Sequence, residues 1–194
     1  VLKGQAPAAL LDSYETERKP IAEQVIWAAS SLHEIFMGHG QSLEQRAARL
    51  SDPAFLDQVI GRCSGVAYTY RDYVASESGA ATPDGGPRIG DRAPDFELSD
   101  GTSLYGATRT AGFALLVIPG PSGHDANVLR GVREAAAPHV QTLRVFELAA
   151  SEALTQAYGA NTETWLYVIR PDAYVGFACP ASATSMLRGW LSRT

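Results

Sequence analysis

Apolar positions in the first third of the chain recur at helical spacing. Residues 6–19 and 21–37 each carry an apolar stripe, and we predict two helices separated by a break or kink at Pro20, because proline removes a backbone donor. The second stripe is Ile21, Val25, Ala28, Ala29, Leu32, Ile35 and Phe36. Two shorter helices are predicted over residues 42–50 and 52–62. In the latter, Asp52 serves as N-cap, Pro53 takes the first helical position and Gly61 lies near the end.

Later in the chain, short apolar runs alternate with helical patterns. Residues 67–74 predict a half-exposed strand. Further strands are predicted at residues 95–98, 113–118, 140–149, 165–169 and 174–178, and helices at 124–137, 151–158 and 182–192. This order indicates an α/β fold, a thioredoxin-like mixed sheet with helices on both faces, preceded by a mainly helical segment.

The hairpin at residues 165–178 is the expected centre of that sheet. Residues 165–169 are Trp-Leu-Tyr-Val-Ile, an uninterrupted apolar run, so both faces of this strand require cover. Arg-Pro-Asp-Ala at 170–173 is typical of a tight turn. We therefore predict a central strand followed by an antiparallel neighbour.

The change of pattern also predicts the domain organisation. Residues 76–88 are dominated by Ser, Gly, Ala, Pro and Asp, and we interpret them as a linker. It separates a helical segment, residues 1–75, from a thioredoxin-like domain, residues 89–194. The chain begins at Val1 and not at methionine, which favours the C-terminal part of a longer polypeptide.

Charge and composition exclude several classes of partner. The 194 residues carry a formal net charge of -5 and no Lys/Arg cluster, which argues against nucleic acid. The sequence has no apolar run long enough to span a membrane and no signal sequence, so we expect a cytoplasmic protein without a membrane partner. The two cysteines, Cys63 and Cys179, lack metal-ligand spacing and are expected to be buried, unpaired thiols.

A redox-active thioredoxin fold requires cysteines where the strand at 113–118 meets the next helix. Residues 121–124 there are Pro-Ser-Gly-His. Ser122 and His124 are interpreted as a polar pair that caps the helix, because no oxyanion loop or Gly-x-Ser-x-Gly elbow accompanies them. The sequence therefore predicts neither disulfide exchange nor peroxide reduction at this position.

Other chemically capable residues also favour structural roles. His33 and His39 border a helix end, and His139 follows Pro138 in a turn. Glu15, Glu17 and Glu23 are expected on a solvated face, and no glycine pair lies in a dinucleotide-binding context. From the residues alone we assign no catalytic, cofactor-binding or metal-binding residue.

A series of motifs resembles the flavin-dependent aromatic hydroxylases, in the branch of phenol and polyketide hydroxylases. It begins with Tyr-Glu-Thr-Glu-Arg-Lys-Pro at residues 14–20, in the family pattern Tyr-x-x-Glu-Arg-x-Pro, and residues 1–4 resemble the end of the preceding flavin-proximal helix. It continues with Ser-Gly-Val at 64–66 followed by Tyr70, Gly-Asp-Arg-Ala-Pro at 90–94, and Val-Ile-Arg-Pro-Asp at 168–172 followed by Tyr174 and Val175. The start of the second domain, residues 89–96, also resembles peroxiredoxins.

The resemblance implies a parent enzyme that reduces FAD with NADPH or NADH and hydroxylates an aromatic or polyketide substrate with O2. In that family the flavin and substrate motifs lie upstream of this segment, so no family site residue carries over. We expect residues 1–75 to pack on an N-terminal flavin-binding portion, and this chain alone to be inactive and to bind no FAD. A homodimer is a second expected partner, and a free-standing peroxiredoxin-like or thioredoxin-fold protein is the alternative.

Overall fold

The structure is a computed structural model that describes residues 8, 10–38, 40–65, 67–74, 80–98, 101–108 and 112–193. The chain divides into two compact units, Val1–Thr69 and Tyr70–Thr194. The first unit contains helices α1 (Leu10–Met37), α2 (Leu43–Leu50) and α3 (Pro53–Ser64). Some sequence predictions fall on residues 1–7, Ala9, His39 and Val66, which lie outside the described part of the chain.

The predicted break at Pro20 is wrong, because α1 is one helix of 28 residues that continues through Pro20. A proline deletes one backbone hydrogen bond of the helix. The rest of the ladder persists, and Ile21, Ala28 and Ile35 are buried along one side. Packing of that side therefore outweighs the local cost of Pro20.

Both predicted shorter helices form, and Asp52 is the N-cap of α3 as predicted. Ser42 and Gln45 form a capping box at α2, and Asp52 accepts a hydrogen bond from the Ala54 amide at α3. Gly61 lies near the end of α3, as predicted, and the helix continues to Ser64. The helix ends at Gly65, which adopts φ 74°, a left-handed conformation that glycine tolerates best.

Residues 67–74 do not form the predicted strand. Tyr70 N donates to Gly90 O at 2.7 Å, but the chain then turns, with the Tyr73 and Val74 amides both donating to Tyr70 O. Alternation of apolar and polar residues creates a strand only where a neighbouring strand supplies a continuous ladder. Here a turn replaces that ladder after Tyr70.

The second unit is a four-stranded mixed sheet in the order β2-β1-β3-β4. Strands β1 and β2 are parallel, and the pairs β1/β3 and β3/β4 are antiparallel. The elements are α4 (Leu104–Thr108), β1 (Phe113–Ile118), α5 (Ala126–Ala136), β2 (Leu143–Glu147), α6 (Glu152–Tyr158), β3 (Trp165–Ile169), β4 (Val175–Pro180) and α7 (Thr184–Leu191). The predicted thioredoxin-like fold is confirmed.

The central position of β3 is also confirmed, since all five of its residues are buried. On one face of the sheet, Leu115, Val168 and Phe177 pack with residues of α5 and α7. On the other face, Leu116 and Tyr167 pack with Leu154 and Tyr158 of α6. Residues of both helical layers therefore cover the strand.

Two elements before β1 differ from the sequence expectation. Residues 95–98 form a single bridge, Glu97 to Ser103, and no longer strand. The short helix α4 was not predicted, because five residues are too few to show a helical period. Leu98 N donates to Thr102 O, as expected for a turn, although Ser99 and Asp100 lie outside the described residues.

Residues 80–88, inside the predicted linker, pack closely against other parts of the second unit. Ala81 N donates to Ala178 O of β4 at 3.2 Å. A Cβ atom on Gly86 would lie 2.4 Å from Tyr158 O and 2.7 Å from the Tyr167 hydroxyl. This part of the segment therefore belongs to the packing of the sheet domain.

Candidate functional site

The junction of β1 and α5 is where a thioredoxin fold would place its redox cysteines. After β1, the chain makes a tight turn in which Gly123 N donates to Gly120 O at 3.0 Å. Residues 119–125 contain no cysteine. The turn borders a small cleft of about 200 Å³ that includes Ser122, Asp125 and Glu163. The junction of β1 and α5 therefore has no thiol.

The two cysteines lie elsewhere. Cys179 is buried in β4, as predicted, and burial raises the pKa of its thiol to about 12. Cys63 is exposed near the end of α3, one helical turn beyond the buried Val59, so its predicted burial is wrong. Because only a thiolate is a strong nucleophile, Cys179 is unreactive near neutral pH.

The predicted Ser122–His124 cap is also wrong. Asp125 caps α5, its carboxylate accepting hydrogen bonds from the amides of Asn127 and Val128. His124 Nε2 instead lies 2.7 Å from Leu148 O, and its Nδ1 is buried without a partner among the described residues. The sequence signal for Asp125 was present, because an aspartate directly before an amphipathic helix is a preferred N-cap.

The structure agrees with the sequence-based interpretation of some other candidate residues and contradicts it for others. His139 ends a short 3-10 helix, Ala137–His139, and its carbonyl accepts from Thr142 N. Glu15 is exposed and faces Lys19 one helical turn later. Glu17 is buried, at 9% exposure, which contradicts its predicted place on a solvated face. It shares the side of α1 that buries Ile21 and Ala28.

Several of the family-like motifs converge at the hairpin turn between β3 and β4. Gly90 N donates to Val175 O, and Val175 N donates to Asp91 O, both at 2.8 Å. The Asp91 carboxylate pairs with Arg71 in a two-bond ion pair. The hydrogen bond and opposite charge of Asp91 raise the pKa of Arg71.

Aromatic rings also belong to this group of residues around the β3–β4 turn, which we call the motif cluster. The rings of Tyr70 and Tyr174 meet edge to face, 4.5 Å between centroids. Arg170 lies over the Tyr70 ring and pairs with Asp172, and Arg92 lies over the Tyr174 ring. In this cluster Arg71 pairs with Asp91, and Arg170 pairs with Asp172. These ion pairs indicate a structural role.

Two buried tyrosines form further structural hydrogen bonds in the second unit. Tyr158 donates to Pro94 O at 2.7 Å, and Tyr167 donates to Tyr158 O at 2.9 Å. Burial raises the pKa of both phenols, so both remain protonated donors. The Tyr158 hydroxyl connects the end of α6 to residue 94, and the Tyr167 hydroxyl connects β3 to the end of α6.

The remaining candidate is a surface on α1. Large apolar residues are exposed over a wide part of the α1 surface: Leu11, Tyr14, Val25, Ile26, Phe36 and Met37. Tyr14, Val25 and Phe36 recur about every three turns, so they share one side of the helix. We call Tyr14, Val25 and Phe36 the α1 apolar face. Large exposed apolar side chains aligned along one side of a helix favour an interface.

The strand-to-helix turns after β1 and β2 do not fit the pyrophosphate of FAD. A dinucleotide site needs a glycine-rich strand-to-helix turn whose helix amides are open to the pyrophosphate. After β1, the Asp125 carboxylate occupies these amides and would repel a phosphate. After β2, the Ser151 hydroxyl accepts from Leu154 N at the start of α6. Flavin chemistry is therefore not assigned to these residues.

Two further site classes find no support in the described part of the chain. No group of three or more His, Cys, Asp or Glu side chains there could hold a metal ion. No helix there has the length and apolar character needed to cross a membrane.

Comparison with known proteins places the second unit in a family. The sequence profile described as aromatic-ring hydroxylase, C-terminal, matches residues 86–194. The chain belongs to this family. The match includes β1 to α7 and most of the motif cluster, so the resemblance read from the motifs is confirmed.

Curated relatives extend the similarity to nearly the whole chain. Pentachlorophenol 4-monooxygenase of Sphingobium chlorophenolicum is 33% identical over 189 residues, which cover 90% of this chain and 35% of that protein. Tetracenomycin A2 monooxygenase-dioxygenase of Streptomyces glaucescens is 31% identical and covers 100% of this chain and 35% of its own length. The chain spans about a third of the length of these relatives.

Solved structures share the fold. The OxyS anhydrotetracycline hydroxylase from Streptomyces rimosus superposes with TM-score 0.69 at 23% identity and covers 99% of this chain and 36% of its own. Aklavinone-11 hydroxylase, solved as a ternary complex with FAD and aklavinone, gives TM-score 0.63 at 25% identity, with 100% and 36% covered.

Proposed function

We propose that this chain serves as the C-terminal third of an FAD-dependent aromatic-ring monooxygenase and contributes packing, not chemistry. The parent enzyme would use NADPH or NADH and O2 to hydroxylate an aromatic or polyketide substrate. Family membership, and the partial coverage of monooxygenase relatives, support this assignment.

The observation that carries the proposal is the α1 apolar face. Tyr14 and Phe36 are 67% and 69% exposed, an extent that a buried interface would explain. We assign the N-terminal flavin-binding portion of the parent as its occupant. Helices α1 to α3 belong to the unit Val1–Thr69, and this is the unit that would pack on that portion.

The alternative of a free-standing peroxiredoxin-like enzyme has less support. It requires an accessible thiol of lowered pKa near the β1–α5 junction. Cys179 is buried with a raised pKa, and Cys63 belongs to the first unit.

Co-purification tests the proposal. The upstream portion of the gene is expressed as a separate tagged polypeptide together with this chain, and their complex is isolated by the tag. Because a buried, unpaired carboxylate costs several kcal/mol, the double variant Val25→Glu, Phe36→Glu should not co-purify.

Ser30→Glu is the matched control. Ser30 is exposed on the other side of α1, away from Val25 and Phe36, so this variant should co-purify like the unmodified chain. Retention of the complex by the double variant, or no complex with the unmodified chain, would overturn the assigned occupant.

A further inference from the structure

The second unit has a small cleft between residues 82–84 and the segment that joins α6 to β3. Its volume is about 310 Å³, at the lower end of the range of small-molecule sites. Five of its seven lining residues carry a hydrogen-bonding side chain: Thr82, Asp84, Asn161, Thr162 and Trp165. We call it the Trp165 cleft. A lining of this kind favours a polar ligand over an apolar one, because an apolar ligand would leave the polar groups unpaired.

Close packing fixes the walls of the Trp165 cleft. Gly159 ends α6 at φ 69°, and a Cβ atom there would lie 2.8 Å from Asp84 O. Gly86 N donates to Pro83 O at 3.2 Å, which closes a turn on the same wall as Asp84. Trp165 begins β3 and is 8% exposed. Since these walls are already in place, a ligand would not have to order them on binding.

The polar groups of the Trp165 cleft are not used by the rest of the domain. No hydrogen bond or ion pair with another described residue is made by the side chains of Thr82, Asp84, Asn161 and Thr162. The Nε1 atom of Trp165 is buried and has no acceptor in the described part of the chain. A buried donor without an acceptor is destabilising, so an oxygen atom brought to this cleft would be favoured.

The lining determines which class of ligand fits. It contains no Lys, Arg or His, so no side chain there would neutralise a phosphate or a carboxylate. Its single carboxylate, that of Asp84, is too few for a calcium site, which needs six or more oxygen ligands. A carboxylate accepts hydrogen bonds, an indole N–H donates, and amides and hydroxyls do both. Neutral compounds with several hydroxyl groups match this set, since each hydroxyl both donates and accepts.

We infer that the Trp165 cleft binds a small neutral polyhydroxy compound of the size of one sugar ring. The Asp84 carboxylate accepts from its hydroxyl groups, the Asn161 amide donates to and accepts from them, and a ligand oxygen accepts from Trp165 Nε1. Asp84 and Asn161 are exposed, so water competes for these hydrogen bonds. We therefore expect weak binding, with a dissociation constant of about 1 mM.

Titration of the 194-residue chain with glucose tests the inference. The chain has three tryptophans, so a proton–nitrogen correlation spectrum should contain three indole N–H signals, and Trp165→Phe identifies the one from Trp165. Glucose should shift that signal saturably, with half-saturation at about 1 mM, and leave the signals of Trp27 and Trp190 in place. No shift, or a linear shift shared by all three signals, would overturn the inference.

Two variants of exposed residues give a second measurement. Asp84→Ala and Asn161→Ala each remove hydrogen-bonding groups from the cleft and should weaken glucose binding roughly fivefold. Gln156→Ala is the matched control, since Gln156 is exposed on α6 but does not line the cleft, and it should bind like the unmodified chain. Equal affinity of all three variants, or a saturable shift of the Trp165 signal by inorganic phosphate, would contradict the inference. These residues belong to the second unit, so the outcome is separate from that of the α1 experiment.

Discussion

Substitution of Gly86 by alanine tests whether residues 80–88 are part of the packed domain. The new methyl group would lie 2.4 Å from Tyr158 O, 2.7 Å from the Tyr167 hydroxyl and 2.9 Å from the Tyr158 carbonyl carbon. Two of these atoms are backbone, so no side-chain rotation relieves the overlap.

The cost follows from two effects. Overpacking costs about 1–3 kcal/mol. Displacement of the Tyr167 hydroxyl would break its buried 2.9 Å bond to Tyr158 O, which costs a further ~1–2 kcal/mol. We therefore expect Gly86→Ala to lower the free energy of unfolding by about 2–5 kcal/mol and the melting temperature by roughly 5–15 °C.

Urea unfolding followed by tryptophan fluorescence measures this loss, since Trp165 and Trp190 are buried in the second unit. Gly131→Ala is the control, because its methyl group would meet only Thr184 side-chain atoms at 3.8 and 3.9 Å. In a helix that change should stabilise by about 0.5–1 kcal/mol. An unchanged midpoint for Gly86→Ala would refute the packing of residues 80–88 described above.

Three further substitutions or treatments have defined outcomes. Ala173, a non-glycine residue at φ 67°, should stabilise the hairpin by about 0.5–1 kcal/mol when replaced by glycine, and a lower melting temperature would contradict this. A thiol reagent at neutral pH should modify exposed Cys63 at once and buried Cys179 only on unfolding; rapid reaction of both would show that the Cys179 site opens. Pro20→Ala should stabilise α1 by about 1–3 kcal/mol in thermal unfolding followed by circular dichroism, whereas no gain would mean that Pro20 costs nothing there.

Much of the second unit could be predicted because its strands are short and buried. The β1 strand begins and ends at the predicted residues, since an apolar run of six flanked by turn residues has few alternatives. Ser151 at α6 and Asp52 at α3 were predictable as N-caps for the same local reason. Local chemistry alone specifies these elements.

The failures share a dependence on distant contacts. Whether Pro20 breaks a helix depends on what the helix packs against, and whether residues 67–74 form a strand depends on an available neighbour. The burial of Glu17 likewise follows from which side of α1 is covered, and Cys63 is exposed because the cover of α3 does not extend one turn beyond Val59. Sequence periodicity defines the sides of a helix but not their partners.

The candidate surfaces were predictable to different extents. Exposed apolar residues on α1 follow from the helical stripe and were expected. The Trp165 cleft between residues 82–84 and the segment that joins α6 to β3 could not be predicted, because only tertiary packing brings these segments together.

Flavin content tests the central claim most directly. The 194-residue chain and the product of the complete gene are purified in parallel, and the visible absorbance of bound flavin is compared at equal protein concentration. We predict stoichiometric FAD in the complete product and none in the 194-residue chain. Bound flavin in the 194-residue chain alone, or none in the complete product, would contradict the assignment of this chain as the packing third of a flavin monooxygenase.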